Sequence, residues 1–407
     1  MPNESPDSAN RALPEPTTTR VQVRNFLRRL ARALPLVLFL VVLVWIFGHV
    51  GILHKLETIV SDAEMLWNPG PNDGEVALVT ITNEDYESLF GGRSPLQAET
   101  LIGLIETIAK GGPKVICVDV DTSSRAFQSV SIPPLGPYVV WEREIQEVPE
   151  NADPSNASKI EPLDVLGGRV DLDPSRNSVG LAILIEDSED KVTRRYRRVI
   201  RTSVGDLPSL PWAVVKVFWG KEKVASLPES TNDLLIHFVP DKRHSRRINL
   251  PASRVLQLAS QWPEASPFRG KIVMLGGSYG DQDRHDTPVG RLTGEEVLAN
   301  VVETELSGRT FKPPSEVLLF ALDLFEAFVL ILIFHKFRFY KALLVSIFLG
   351  LALALMCSWF TFGDWTDIAY FLPIILGLIL FEAYEHFRRT AVPRLYNEMR
   401  GKPPMTE

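Results

Sequence analysis

Acidic residues collect at three places where the chain leaves an apolar run. Val76–Ile81 gives way to Thr82-Asn83-Glu84-Asp85; Val115–Val120 carries Asp119 and is followed by Asp121. Lys271–Leu275 is followed by Gly276-Gly277 and a polar loop that holds Ser278, Asp281, Asp283, His285 and Asp286. Oxygen-rich groups of this kind suit a hard divalent cation such as Ca²⁺ or Mg²⁺, provided the three places adjoin. The same carboxylates also read as helix caps and loop braces, and their spacing fits no metal motif. A divalent cation is therefore one expectation, and a domain without a cofactor is the other.

Covalent catalysis needs a nucleophile with a base placed beside it. Ser278 lies in GGSYG, which is not the G-x-S-x-G elbow of the α/β-hydrolases. His237, His244 and His285 have no motif around them, and Gly276, Gly277 and Gly280 do not form G-x-G-x-x-G. No enzymatic activity is expected. A different pair of carboxylates, Asp323 and Glu326, stands inside an apolar run, nine and twelve residues beyond Pro314. At helical rise that is about 13–18 Å deep, near the middle of a bilayer. Spaced i, i+3, the two share a helix face. Such groups cost several kcal/mol unless paired, protonated or turned toward protein. They read either as neutral carboxyls bonded to Ser346, Ser358 or backbone, or as a docking face for another membrane protein.

The elements that must position the first set alternate between strand and helix. Val76–Ile81 and Val115–Val120 flank a helix with Leu101, Leu104, Ile105 and Ile108 on one face, stopped at Gly111-Gly112-Pro113. A unit of this length implies parallel pairing. Lys271–Leu275 is a further strand. A helix starts at Thr293, whose spacing to Glu296 is that of a capping box, and turns Leu298, Val301, Val302 and Leu306 inward. Another helix runs from Ser209 to Gly220, and Val179–Ile185 and Arg195–Arg201 read as two strands around an acidic turn at Glu186–Asp190. Residues 122–178 are Pro-rich and give no clear elements. The expected fold class is an α/β domain with a largely parallel sheet, in which ligands bind beyond the carboxyl ends of the strands. That is where the three acidic places lie.

Apolar blocks bracket this domain in the 407-residue chain, so its mean hydropathy of +0.05 describes neither part. The runs 34–53, 317–335, 342–361 and 367–384 are long enough for four transmembrane helices. Arg20, Arg24, Arg28, Arg29 and Arg32 precede the first; Lys336, Arg338 and Lys341 lie between the second and third; Arg388, Arg389 and Arg394 follow the fourth. By the positive-inside rule residues 54–316 lie outside and both tails, 1–33 and 385–407, inside. The first tail has the composition of a disordered segment. The second is too short for a domain, so no output module is expected there. A net charge of -7 argues against nucleic-acid binding. The two cysteines, Cys117 and Cys357, fall in the soluble middle and in an apolar run, and no disulfide between them is expected.

Four stretches carry a family resemblance: Val76–Leu89 (VALVTITNEDYESL), Ala109–Asp121 (AKGGPKVICVDVD), Val179–Arg198 (VGLAILIEDSEDKVTRRYRR) and Phe268–Asn300, with its GKIV strand, Thr-Pro loop and Gly-x-x-Val-x-Ala-Asn helix. In order and spacing the chain resembles the CHASE-two family of extracytoplasmic sensor domains, found in bacterial histidine kinases, adenylate cyclases and related receptors. Interval 122–178 is unmatched, and Arg93-Ser94-Pro95-Leu96 stands where the family often has a Trp-Pro-rich segment. The resemblance implies a bacterial inner-membrane sensor or binding protein whose outer domain recognises a ligand or partner and acts through a separate signalling protein. The alternative is a structural or assembly subunit of a membrane complex that uses the sensor fold as a scaffold. Expected partners are the lipid bilayer and other membrane or periplasmic proteins.

Overall fold

Val76–Ile81 is buried at every position, which a strand achieves only when both faces are covered. The computed structural model describes residues 73–308 apart from 148–159, 169–172, 189, 225–230, 232, 240–246, 263–265 and 281–282, with scattered positions on either side. This strand is β1. Helices α1 (Asn83–Phe90) and α2 (Ala98–Lys110) follow, then β2 (Val115–Asp119), β3 (Tyr138–Arg143), β4 (Ile145–Glu147), β5 (Ile160–Pro162) and β6 (Asn177–Leu181). Next come β7 (Ile185–Glu186), β8 (Thr193–Tyr196), β9 (Val199–Thr202), β10 (Gly205–Pro208), α3 (Leu210–Trp219), α4 (Lys221–Val224) and β11 (Leu234–Leu235). The last group is β12 (Ile248–Pro251), α5 (Ala252–Leu258), β13 (Ile272–Gly277), the hairpin β14 (Arg284–Thr287) and β15 (Gly290–Thr293), and α6 (Gly294–Leu306).

Six strands form one sheet in the order β12-β1-β13-β2-β3-β6, and every neighbouring pair is parallel. The fold is α/β with a parallel central sheet. Side-chain alternation splits the core in two. Ala77, Val79, Ile81, Ile116, Val118, Val273 and Leu275 pack with Leu101, Leu104, Ile105 and Ile108 of α2 and with α5. Val76, Leu78, Cys117, Ile272 and Met274 face the other way, onto Trp212, Val214 and Val215 of α3 and Leu298 and Val302 of α6. Burying each Val, Leu, Ile or Met among these contributes about 1.5–3 kcal/mol, so the sheet is stabilised from both faces. Gly180 of β6 has a specific role in this packing. A Cβ there would fall 2.5 Å from Leu210 Cα, so only glycine lets β6 run against the start of α3.

The structure departs from the sequence expectations at several points. β1 and β2 share the sheet but are not neighbours, because β13, late in the chain, inserts between them. The acidic run Thr82–Asp85 that follows β1 opens a helix, Asn83–Phe90, closed at its start by a reciprocal Thr82–Asp85 cap. The expected pair 179–185 and 195–201 is broken up. Asn177–Leu181 joins the main sheet, while Ile185–Glu186 and Thr193–Tyr196 pair antiparallel around the acidic turn. Residues 122–178 hold β3, a central strand with buried Val139, Val140 and Trp141.

Cys117 is a buried free thiol in β2. Cys357, the two tails and the four expected membrane spans fall outside the described residues, except for isolated positions between 321 and 349. Among the described residues no helix is long and apolar enough to cross a membrane.

Candidate functional site

The carboxyl ends of β1, β13, β2 and β3 stand side by side. Thr80 is level with Gly276, Gly276 with Asp119, and Val118 with Trp141, which places Glu142 one residue further along the edge. Helix α6 then brings Glu295 up to the same edge. A Cβ on Gly276 would lie 2.7 Å from the Glu295 Cβ and 3.3 Å from Asp119 Oδ2, so the missing side chain is what lets these two acids approach across β13. The Thr80 hydroxyl donates to Glu295 Oε1 at 2.5 Å, and Glu295 is 1% exposed.

Burial and neighbouring like charges both disfavour the charged form of a carboxylate. Burial pushes Asp119 well above the usual carboxylate range, and Asp283, Glu295 and Glu144 push it further. Glu142 is raised in the same way, by burial first and then by Asp119, Glu144, Asp121 and Asp283. The edge is therefore an acidic ledge whose buried carboxyls, Asp119 and Glu142, are biased toward holding protons. Perturbed acids in a cleft at the carboxyl end of a parallel sheet mark a candidate binding place.

The surrounding loops are tied down. Ser278 N–H donates to the Ile81 carbonyl (2.9 Å), and Gly280 N–H donates to Asn83 Oδ1 (2.8 Å). The Tyr279 ring between them lies parallel to Tyr86, with centroids 4.4 Å apart. Burial, Tyr86 and nearby carboxylates push its phenol up to about 12. Asp283 caps the next loop, and Gly294 N–H donates to its carbonyl at 3.1 Å. His285 Nε2 stands 3.2 Å from Asp283 Oδ1, and its Nδ1 stands 3.7 Å from Glu186 Oε1. The Asp283 contact raises the imidazole above its ordinary value despite burial, so it favours the charged form.

Of the residues singled out in the sequence, Asp119 and Asp283 act on one another and His285 joins them through Asp283. Asp121 reaches the group only electrostatically, through Glu142 and Tyr279. Its exposed carboxylate accepts from Ser123 N–H (2.8 Å), the loop brace that was the alternative. Asp286 sits level with Arg291 across the hairpin and bridges to Val192, away from the ledge. Ser278 is half-buried. Asp281, Asp323 and Glu326 fall outside the described residues. Among the described residues no three His, Cys, Asp or Glu side chains are grouped so that they could hold a metal ion.

Three acids were not foreseen: Glu142, Glu144 and Glu295. Glu142 and Glu144 sit in and just after a strand hidden in Pro-rich sequence. Glu295 lay beside the capping residue Glu296, which was read and is observed accepting from Thr293 N–H at 3.2 Å.

A second polar region lies along α6. Arg198 pairs with Glu305 and stacks over Trp212 at 4.5 Å; Tyr196 donates to Glu305 at 2.7 Å; Arg247 pairs with Glu303. These groups are buried and mutually satisfied, the pattern of a scaffold that holds β8, β9 and α6 together.

The family model of the CHASE2 domain matches residues 36–335 of the chain. No curated protein and no solved structure gives a match.

Proposed function

This chain belongs to the CHASE2 domain family, a family of extracytoplasmic sensor domains, and we propose that it is a bacterial inner-membrane sensor of this type. In this reading the α/β domain lies outside the cytoplasm. The apolar runs 34–53, 317–335, 342–361 and 367–384 cross the bilayer, both tails lie inside, and a separate effector protein receives the signal. Basic residues flanking those runs support the orientation. The recognition surface is the acidic ledge. One observation carries this: Asp119, Glu142 and Glu295 come from three different elements to one edge of the sheet, with Asp283 acting on the first two from the loop before β14. Such a surface suits a cationic or donor-rich ligand, because its carboxyls lose their mutual repulsion when the ligand supplies positive charge or protons.

Asp323 and Glu326, one helical turn apart in an apolar run, favour a second reading as an assembly subunit that docks a membrane partner through them. Purification of the tagged full chain in mild detergent, followed by native mass spectrometry, separates the two. The sensor reading predicts a chain that carries a small ligand and loses it on Asp283→Asn with Glu142→Gln. Stoichiometric recovery of a multi-protein assembly, lost on Asp323→Asn with Glu326→Gln, contradicts it.

A further inference from the structure

Hairpin β7–β8 is gripped at both ends. On one side Arg194 of β8, 5% exposed, makes a two-pronged ion pair with Asp62: Nε to Oδ1 at 2.7 Å and Nη2 to Oδ2 at 2.9 Å. Asp62 lies in the stretch between the first apolar run and β1. The same guanidinium donates to Asp190 at 2.9 and 2.7 Å and stands 3.7 Å from Asp187. One buried arginine thus fastens the segment that leads toward the membrane to the acidic turn of the hairpin. Paired guanidinium–carboxylate forks are directional as well as strong, so the grip fixes orientation too.

On the other side the hairpin meets β14 and the His285–Asp283 pair next to the ledge. Val192 bridges to Asp286 of β14. Glu186 of β7 faces His285, whose other ring nitrogen meets Asp283, the residue that acts on Asp119 and Glu142. The turn between the two grips is closed by Asp187 N–H to the Val192 carbonyl (3.1 Å) and Lys191 N–H to the Asp187 carbonyl (3.0 Å). Lys191 is held there at a left-handed φ of 62°, a conformation a lysine keeps only when its surroundings impose it.

We infer that the β7–β8 hairpin is the transmission lever of the domain, coupling the ledge, through His285 and Glu186, to the membrane-leading segment, through Arg194 and Asp62. This rests on the sensor reading and adds the route by which an event at the ledge reaches the bilayer. Adjacency alone does not establish such a route; coupling does. Coupling is also reciprocal, because two sites that bias one element must each respond to the other by the same factor.

That reciprocity gives the test. Hydrogen exchange is followed by mass spectrometry on the full chain in lipid nanodiscs, for wild type, Asp62→Asn, His285→Gln and Glu186→Gln, with α2 as the internal reference. The lever predicts that Asp62→Asn speeds exchange in residues 283–293 as well as in 55–66, on the order of fivefold or more. It equally predicts that His285→Gln speeds exchange in 55–66. Glu186→Gln, at a side chain 44% exposed, gives the same read-out without threatening the fold. Effects confined to the mutated element in all three variants overturn the lever and leave Arg194 as a staple. Discovery of a fixed multi-protein assembly by native mass spectrometry, with the reciprocal exchange intact, would instead remove the sensor reading and leave the lever standing.

Discussion

Arg198 and Glu305 meet in a two-pronged ion pair, Nε to Oε1 and Nη2 to Oε2 both at 2.8 Å, with only 4% and 1% of their side chains exposed. The pair pins the turn between β8 and β9 to the end of α6, the helix whose opposite end carries Glu295 to the sheet edge. Removing one partner leaves a buried charge uncompensated, at a cost of about 3–5 kcal/mol. Thermal unfolding of the solubilised full chain should show Arg198→Met strongly destabilised. The double variant Arg198→Met with Glu305→Met should recover most of the loss, since no lone charge remains. Equal destabilisation of both would show that shape, not charge, is what matters there.

Asp85 accepts from the Thr82, Ala252 and Ser253 N–H groups, and so caps α1 while holding the start of α5. Burial would raise its carboxyl, but the hydrogen bonds from Ser253 and Thr82 outweigh it and the pKa is lowered from 3.8. Its stabilisation is therefore complete above the unfolded value and is lost as pH falls through the folded one. Asp85→Ala should cost about 3 kcal/mol or more, because several buried donors lose their acceptor. A melting-temperature series into acid should also fall less steeply for Asp85→Asn than for wild type.

Asp119 and Glu142 behave in the opposite sense. Their folded pKa values are raised, so above the unfolded values the native state binds more protons, and stability declines as pH rises through that window. Asp119→Asn and Glu142→Gln should each raise the melting temperature near neutral pH and change little near pH ~4. The double variant should gain less than the sum, because either change already relieves their mutual repulsion. Additive gains would mean the two carboxyls do not share protons.

Gly180→Ala is a geometric test of the layer between β6 and α3. The new methyl would meet Leu210 and Ser209 backbone, which has no flexible end to move aside, so a loss of about 1–3 kcal/mol is expected. Unchanged thermal stability would mean that β6 and α3 sit further apart.

Elements with strong local periodicity were legible in the sequence: α2 with its Leu101–Ile108 face, β13, and α6 with its capping residues. What escaped depends on partners far along the chain. Nothing near Val115 announces that β13 will separate β2 from β1, since that pairing is decided some 150 residues later. The run Tyr138–Trp141 is short and lies among prolines, so its central place in the sheet, and with it Glu142, could not be read locally. Asp119 and Asp283 were visible as acids after strands. Their meeting required the sheet order, and Glu295 required knowing that glycine at 276 opens the way to it.

A sensor of the surroundings has to face them, and that is directly measurable. Ser129 lies in an exposed loop after β2, and a cysteine placed there in a Cys357→Ser background can be tested in intact cells with a membrane-impermeant maleimide; native Cys117 is buried and stays silent. Ser129→Cys should label as fully in intact cells as after lysis, with the outer membrane made permeable in both. Labelling that appears only after the inner membrane is broken would put the domain on the cytoplasmic side and contradict an extracytoplasmic sensor.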